Sequence, residues 1–456
     1  MASTYLERTS WGTPTNTYKA TFSAWIKRGT LSSNNERILC ARASSANTGE
    51  IALQTSNELR IYQYVGAEQI NVKTNRIFRD TSAWYHIVVA FDTTQGTSTD
   101  RIKVYVNGVQ ETSFANTTYP SQNQTLAINN SLNPTRIGTS STSSDTFFTG
   151  SMSHFHFIDG TAYDASAFGE TDTTTGEWKG KTSPSVTYGT NGFFILKDGN
   201  GITDQSSNSN NFTLGGGTLT DLKDNPDNVF ATINPLWRAN QTNTHSNGNL
   251  TATNGAKHRP NVPTIAPSSG KWYMEAKAIS GSTTKWWIGY ADQEWMDNNQ
   301  NLASGTNMIW GGGNITGEVN QRSVSLYNNG LQLNPNSNID NFFSSGSCSA
   351  GDIMGIAVDL DNQKAWWSKN GVWRNGSASE STTWNSSYPD TTQLDVGRNY
   401  YIGVGSENTT WSVNYGNGYF GTTAVSSAGT NASGNGIFEY DTPTGFTALS
   451  TKGLNL

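Results

Sequence analysis

Three aspartates, Asp221, Asp224 and Asp227, stand three apart in a stretch rich in Asn and Pro. In an irregular loop, carboxylates so spaced can converge on an oxygen-loving cation such as Ca²⁺. The EF-hand spacing is absent, however, and Asp ahead of Asn-Pro is ordinary turn chemistry in which the carboxylate caps nearby backbone N–H groups. The turn reading is favoured, and Ca²⁺ is the one cofactor left open. Glu170-Thr171-Asp172 begins the E-x-D-x-x-E arrangement of a β-glucanase, with both acids on one face of a strand, but Thr175 stands where the third acid belongs. Asp359 and Asp361 in VDLDNQ share a face at a strand end and read as a hairpin turn. His154 and His156 project from one face of a strand while Phe155 and Phe157 enter the core, and a zinc site would need a third ligand from His86, His245 or His258. Packing on the outer face is the favoured reading. With no G-x-S-x-G elbow, P-loop or G-x-G-x-x-G after a strand, no catalytic residue is assigned and the chain is expected not to be an enzyme.

Tryptophan is oversupplied, at 15 residues. Trp25, Trp84, Trp286, Trp287, Trp366 and Trp367 lie in strand patterns, where an indole fills a sandwich core or covers a sheet. Trp295 in ADQEWMDNNQ and Trp384 in STTWNSSYPD stand in polar loops instead, and such loops at sandwich ends tend to carry binding residues. Trp295, Trp384 and its companion Tyr388 are therefore the candidate ligand-binding residues, against the alternative that the rings pack onto the domain's own edge.

These residues are positioned by strands. From residue 20 onward, short period-two segments alternate with turn residues and no stretch has a helical period. In RIKVYVNGVQ, Ile102, Val104 and Val106 share one face, and Asn107-Gly108 supplies a type I′ hairpin; Asn329-Gly330 and Asn370-Gly371 repeat the signal. TFSAWIK and WYHIVVAFD are apolar on both faces, which places them mid-sheet with one face in the core and the other under a loop. KWYMEAKA, KWWIGYA, DIMGIAVDL, KAWWSK and NYYIGVG do the same in the second half. The expected fold is all-β, two tandem β-sandwiches.

At 456 residues the chain exceeds one core, and from about 200 to 267 it loses its alternation and becomes Asn-, Thr- and Pro-rich. The expected organisation is a sandwich over 1–215, a linker and boundary region over 216–267, and a second sandwich over 268–456. Within the boundary, Pro226 and Pro235 bracket the apolar run of DNPDNVFATINPL and make it a semi-rigid joint.

Composition narrows the function. Only 14% of residues are charged and the net charge is −6, so nothing offers the basic footprint that nucleic acid requires. No segment approaches the roughly 18 apolar residues of a membrane span, and the N-terminus lacks the regions of a cleaved signal, so synthesis in a cytoplasm without export is expected. The two cysteines, Cys40 and Cys348, fall in opposite halves and are expected as isolated buried thiols. Asn-x-Ser/Thr triplets, as at Asn116, Asn211, Asn249 and Asn408, follow from composition in a chain without a secretory signal.

FSAWIKR, RDTSAWYHIVVAFDTT, DRIKVYVNG and GSMSHFHFIDG together resemble the laminin-G-like members of the concanavalin A-like superfamily, which are jelly-roll sandwiches. SGKWYMEAKA, WWIGYA, GDIMGIAVDLDNQKAWWSKNGVW, YIGVGS and YDTPTGFTAL resemble a SPRY domain. The two in tandem, with FIDGTAYDASAFGETDTTTGEWKGK, YGTNGFFILKDGN and DNPDNVFATINPL, are similar to virion proteins of tailed phages infecting marine bacteria. The resemblance implies a structural or adhesive protein on the virion surface, in the tail or capsid, that touches other virion proteins and a host glycan or protein, with self-association left open. Lacking heptads, collagen-like triplets or a β-helix repeat, the chain reads as a knob, fibre tip or capsid decoration rather than a fibre shaft. A decoration or cement protein without host ligand, and a polysaccharide depolymerase, are the alternatives.

Overall fold

The computed structural model describes residues 4–140, 147–197, 201–237, 243–281, 285–299, 310, 322–328, 330–333, 337–339, 342–375, 379–391 and 394–455. The chain is all-β and divides into two compact units, Met1–Asp221 and Leu222–Leu456.

In the first unit an eight-stranded sheet runs in the order Phe114–Thr118, Glu68–Ile77, Glu58–Val65, Asn47–Leu53, Glu36–Ser44, Thr135–Ile137, Tyr5–Arg8, Thr213–Gly216. A six-stranded sheet runs Phe193–Ile195, Gly150–Asp159, Lys19–Arg28, Trp84–Asp92, Ile102–Val106, Val109–Gln110. Alternate residues of both, such as Phe22, Ile61, Val72, Val89 and Phe155, enter one buried cluster between them. Across that core Arg28 meets Glu36, both buried, and the guanidinium also donates to Asn57 Oδ1 and to the carbonyl of Phe78, at 2.7 Å each. Removing one partner of a buried pair like this strands the other charge.

The two strands read as apolar on both faces lie mid-sheet, paired over nine residues from Lys19↔Asp92 to Lys27↔Trp84. Their outward face is covered, as the sequence predicts, by a loop-rich segment that also carries the paired short strands Gly169–Thr171 and Trp178–Gly180. Phe168, Trp178, Val186 and Tyr188 pack over Val88 and Ile158. The Asn107-Gly108 turn has the two positive φ angles of a type I′ hairpin, 48° and 79°. Gly108 also makes room for the cover, since a Cβ there would come within 2.6 Å of the Trp178 ring.

In the second unit a nine-stranded sheet is centred on Thr409–Asn414, Lys271–Gly281, Ile353–Asp359 and Lys364–Lys369. A six-stranded sheet contains Arg259–Asn261, Tyr400–Ser406, Trp286–Asp292 and Ser323–Tyr327. Their inner faces enclose a second core around Met274, Ile288, Ile356, Trp367 and Trp411. Each outward face carries an aromatic layer of its own. Tyr273, Trp366 and Trp373 lie with Phe438 and Phe446 of the C-terminal segment on the larger sheet, and Trp287 with Trp295 and Trp310 on the smaller. The Asn370-Gly371 hairpin has φ of 50° and 76°; Asn329 of the corresponding turn lies outside the described residues.

Two expectations are corrected. Residues 224–236, expected as part of a linker over 216–267, are built into the second unit. Phe230 bridges Ser450, Ile233 bridges Pro263, and the Ala231 N–H donates to the Leu449 carbonyl at 2.8 Å. Their apolar run, Phe230, Ala231 and Ile233, is buried there, and that burial is what takes them out of a linker. The second correction concerns Trp295. Its segment is the short helix Gln293–Asn299, capped by Asp292 Oδ1, which accepts the Trp295 N–H at 2.8 Å.

Candidate functional site

The sequence candidates are scattered, and most are committed to the fold. Trp295, only 1% exposed, packs edge-on against Trp310, so it offers no ring to a ligand. Trp384 is half-buried against Trp366 and Phe446, at 5.4 and 5.5 Å between ring centroids. Tyr388, four residues on, is 55% exposed. Asp224 is buried with Oδ1 accepting the Phe230 N–H at 3.1 Å, whereas Asp221 and Asp227 are exposed; among the described residues they form no metal-ligating group. Asp172 accepts the N–H groups of Thr174 and Thr175, and these bonds, with Lys179 at 3.0 Å, hold its carboxyl down to about 2. That is a turn anchor, and a general acid needs the opposite shift. Asp359 closes its own turn through Asn362 and pairs with Lys271, while Asp361 accepts the Gly270 N–H.

A bulge between Ser153 and His156, with His154 at φ 48°, interrupts the alternation between the two histidines. His156 keeps the expected outward face, opposite Ser23 while Phe155 and Phe157 enter the core, and the covering segment buries it. There it stacks on Phe194 at 3.9 Å and hydrogen-bonds Tyr188 Oη through Nδ1.

One contact has the shape of a nucleophile–base pair. Ser23 Oγ lies 2.9 Å from His86 Nε2, with both residues buried. Trp178 Nε1–H, which can only donate, points at His86 Nδ1 at 2.9 Å. The proton of the neutral ring is therefore on Nε2, and His86 donates to Ser23 instead of withdrawing its proton. Burial pushes the imidazole down to about 3, so it stays neutral. The Ser23–His86–Trp178 chain holds the cover onto the sheet.

What remains is the outward face of the first unit's eight-stranded sheet, over which the described residues form no apolar cluster. Register carries one line of side chains across all eight strands: Thr118, Asn71, Tyr62, Glu50, Cys40, Arg136, Glu7 and Thr213. A parallel line holds Asn116, Lys73, Arg60, Ala52 and Arg37, and a third Glu68, Tyr64, Thr48 and Arg42. In the middle, buried Glu50 accepts from Arg37 Nε at 3.0 Å and Arg60 Nη2 at 2.5 Å. The Arg60 guanidinium lies over the Tyr62 ring at 4.4 Å, and Arg136 pairs with Glu7 at 2.6 Å. Burial, with Glu68 adding to it, raises the Tyr62 phenol, which remains a neutral donor.

Such a face presents hydrogen-bonding groups in fixed positions. Guanidinium, amide and carboxylate groups are held by one another, and phenol rings stand beside them for stacking. The sequence signal was available and missed: in ELRIYQYV and EQINVK the residues between the core positions are Arg60, Tyr62, Tyr64, Asn71 and Lys73, a polar and aromatic face at period two. Cys40, in the same line, is 1% exposed with its thiol pushed up to about 12 by burial, an inert member of the row.

None of the curated proteins matches the chain. Among solved structures it is similar to a heptameric SAP-like pentraxin from Limulus polyphemus, at 16% identity, with 36% of this chain and 72% of that one covered and a TM-score of 0.26. It is also similar to a putative carbohydrate binding protein from Bacteroides ovatus, at 15% identity, with 47% and 56% covered and a TM-score of 0.31. The SPRY domain of human HERC1 is 13% identical, with 38% of this chain and 92% of that one covered and a TM-score of 0.25. At such TM-scores these likenesses carry no argument about activity. Residues 2–167, within the first unit, match the family model of the concanavalin A-like lectin/glucanases superfamily in its laminin G form, and the chain as a whole is all-β.

Proposed function

We propose that the chain is a non-enzymatic, lectin-like protein of a phage virion surface, whose first unit takes a saccharide on the outward face of its eight-stranded sheet. The observation that carries this reading is that face: three lines of mainly hydrogen-bonding side chains with Tyr62 and Tyr64 among them and no apolar cover among the described residues. The sequence likeness to tailed-phage virion proteins supports the setting, display on tail or capsid beside other virion proteins and contact with a host glycan. In the second unit, SPRY-like by sequence, exposed Tyr388 remains the residue to add to a recognition surface.

The test is a glycan array probed with the full chain, in Ca²⁺ and in EDTA, for wild type, Tyr62→Ala and Asn71→Ala. The expected outcome is a defined set of bound glycans, with each substitution weakening binding by about tenfold, which is about 1.4 kcal/mol. Thermal melting should stay unchanged. A wild-type protein that binds no glycan on the array or on host cells leaves a decoration protein without host ligand. Binding unchanged in both variants moves the site off this face, and released reducing ends would make the chain a depolymerase.

A further inference from the structure

Beneath the C-terminal cover of the second unit lies a carboxyl group that neither its strand nor its surroundings neutralise. Glu275 sits mid-strand in Lys271–Gly281, on the outward face of the nine-stranded sheet, and is 0% exposed. Its Oε2 accepts the Glu439 N–H at 2.8 Å, and its Oε1 accepts the Tyr440 N–H at 2.9 Å and the Tyr273 hydroxyl at 3.0 Å.

Two of these three donors belong to the segment between Ala424 and Thr447, which has no strand or helix. That segment closes on itself through Gly429 N–H to Phe438 O and Thr442 N–H to Thr430 O, both at 2.9 Å. It lies over the aromatic layer of Tyr273, Trp366 and Trp373. The Tyr440 ring is seated over Gly371, where a Cβ would come within 2.5 Å of it.

The groups around Glu275 set the direction of its response. From its own strand comes Tyr273, from the cover Glu439 and Tyr440, and from the two neighbouring strands Gly355 and Asn414; Ser368, one strand beyond Gly355, bonds Tyr273, and these last three are uncharged. Among the described residues no Lys or Arg pairs with Glu275, and Glu439, a charged neighbour acting on it, is a like charge. An ionised carboxylate there is held by three neutral donors alone, and lifting the segment would return it to water.

We propose that Glu275 is a proton-operated clasp, closing the C-terminal cover onto the sheet when its carboxyl is protonated and letting the cover lift as the carboxyl ionises. Burial raises this carboxyl from the ordinary 4.5 to about 7, while the three hydrogen bonds oppose the shift. With the cover lifted, the group reverts toward its ordinary value. The proton-bound, closed form is therefore fully favoured below about 4.5, and the advantage is lost as pH rises to about 7.

Hydrogen exchange of the full chain tests it, reading the Gly429, Glu439, Tyr440 and Thr442 amides relative to Ile356 in the core strand. The opening of the segment should rise with pH by up to about tenfold per pH unit between 4.5 and 7 and level off above. Glu275→Gln, which keeps the shape and cannot ionise, should abolish the slope. Tyr273→Phe, which removes a bond favouring the ionised form, should move the midpoint to higher pH. A flat wild-type ratio, a slope that survives Glu275→Gln, or an unmoved midpoint in Tyr273→Phe overturns the proposal. The last outcome decides the matter even if Glu275→Gln fails to fold.

Discussion

Both units hide one sheet face under a loop-rich cover, but they fasten it with opposite chemistry. In the first, Trp178 is tied to the sheet through His86, a base that burial keeps neutral. In the second, the segment carrying Phe438 and Tyr440 is tied through Glu275, an acid that burial also pushes toward neutrality. Desolvation disfavours charge in both, so it lowers the base and raises the acid. The lesson is that one physical cause acts on a base in one cover and an acid in the other, which predicts opposite answers to acid.

The largest way to break the symmetry is to remove a covering ring. Trp178→Ala should cost the first unit about 3–5 kcal/mol, because it deletes a large ring and strands His86 Nδ1 without its donor. Phe438→Ala should cost the second unit a packing loss of about 3 kcal/mol and leave Glu275 its three donors. Urea unfolding, with hydrogen exchange to assign each transition to a unit, checks both. Equal losses would mean that the Trp178–His86 bond adds nothing.

Next in size is the response to acid. His86 falls from 6.5 to about 3 in the fold, so its contribution is complete above 6.5 and is lost as pH drops toward 3. Glu275 contributes fully below 4.5 and loses that as pH rises to about 7. Between 4.5 and 6.5, acid should loosen the cover around Trp178 and tighten the one around Tyr440, each by up to about tenfold per pH unit. Exchange of the Phe168 and Tyr440 amides, followed together, measures it, and slopes of the same sign would end the comparison.

The smallest effect is expected from Ser23→Ala, which leaves His86 Nε2–H without its acceptor and should cost about 1 kcal/mol. The urea midpoint of the first unit reads it. A gain in stability would mean that the ring turns to find another partner.

Much of the fold was legible because period-two alternation and Asn-Gly turns are local signals. The mid-sheet placement of TFSAWIK and WYHIVVAFD follows from apolar residues on both faces, which only a covered central strand can bury. What escaped depends on distant chain. Nothing within DNPDNVFATINPL says that Phe230 will bridge Ser450, so its prolines read as the ends of a joint. Trp295 looked like a loop residue because a seven-residue helix is too short to show a period, although Asp292 ahead of it and Glu294 in its first turn are capping chemistry. The polar face of the eight-stranded sheet was overlooked for the converse reason. Its residues are unremarkable within each strand and become a surface only once register aligns Asn71, Tyr62 and Glu50 across three strands.

Cys40 and Cys348 are the two cysteines of the chain, one in each unit, both free, buried and with thiols raised to about 12. An alkylating reagent reaches such a thiol only while its surroundings are open, because the thiolate is the reactive form. The molecule thus carries a chemical clock in each half, and the rate at which iodoacetamide caps each cysteine would time, without any added label, the opening of the second unit's core around Cys348 and of the side-chain layer over Cys40 on the first unit's outward sheet face.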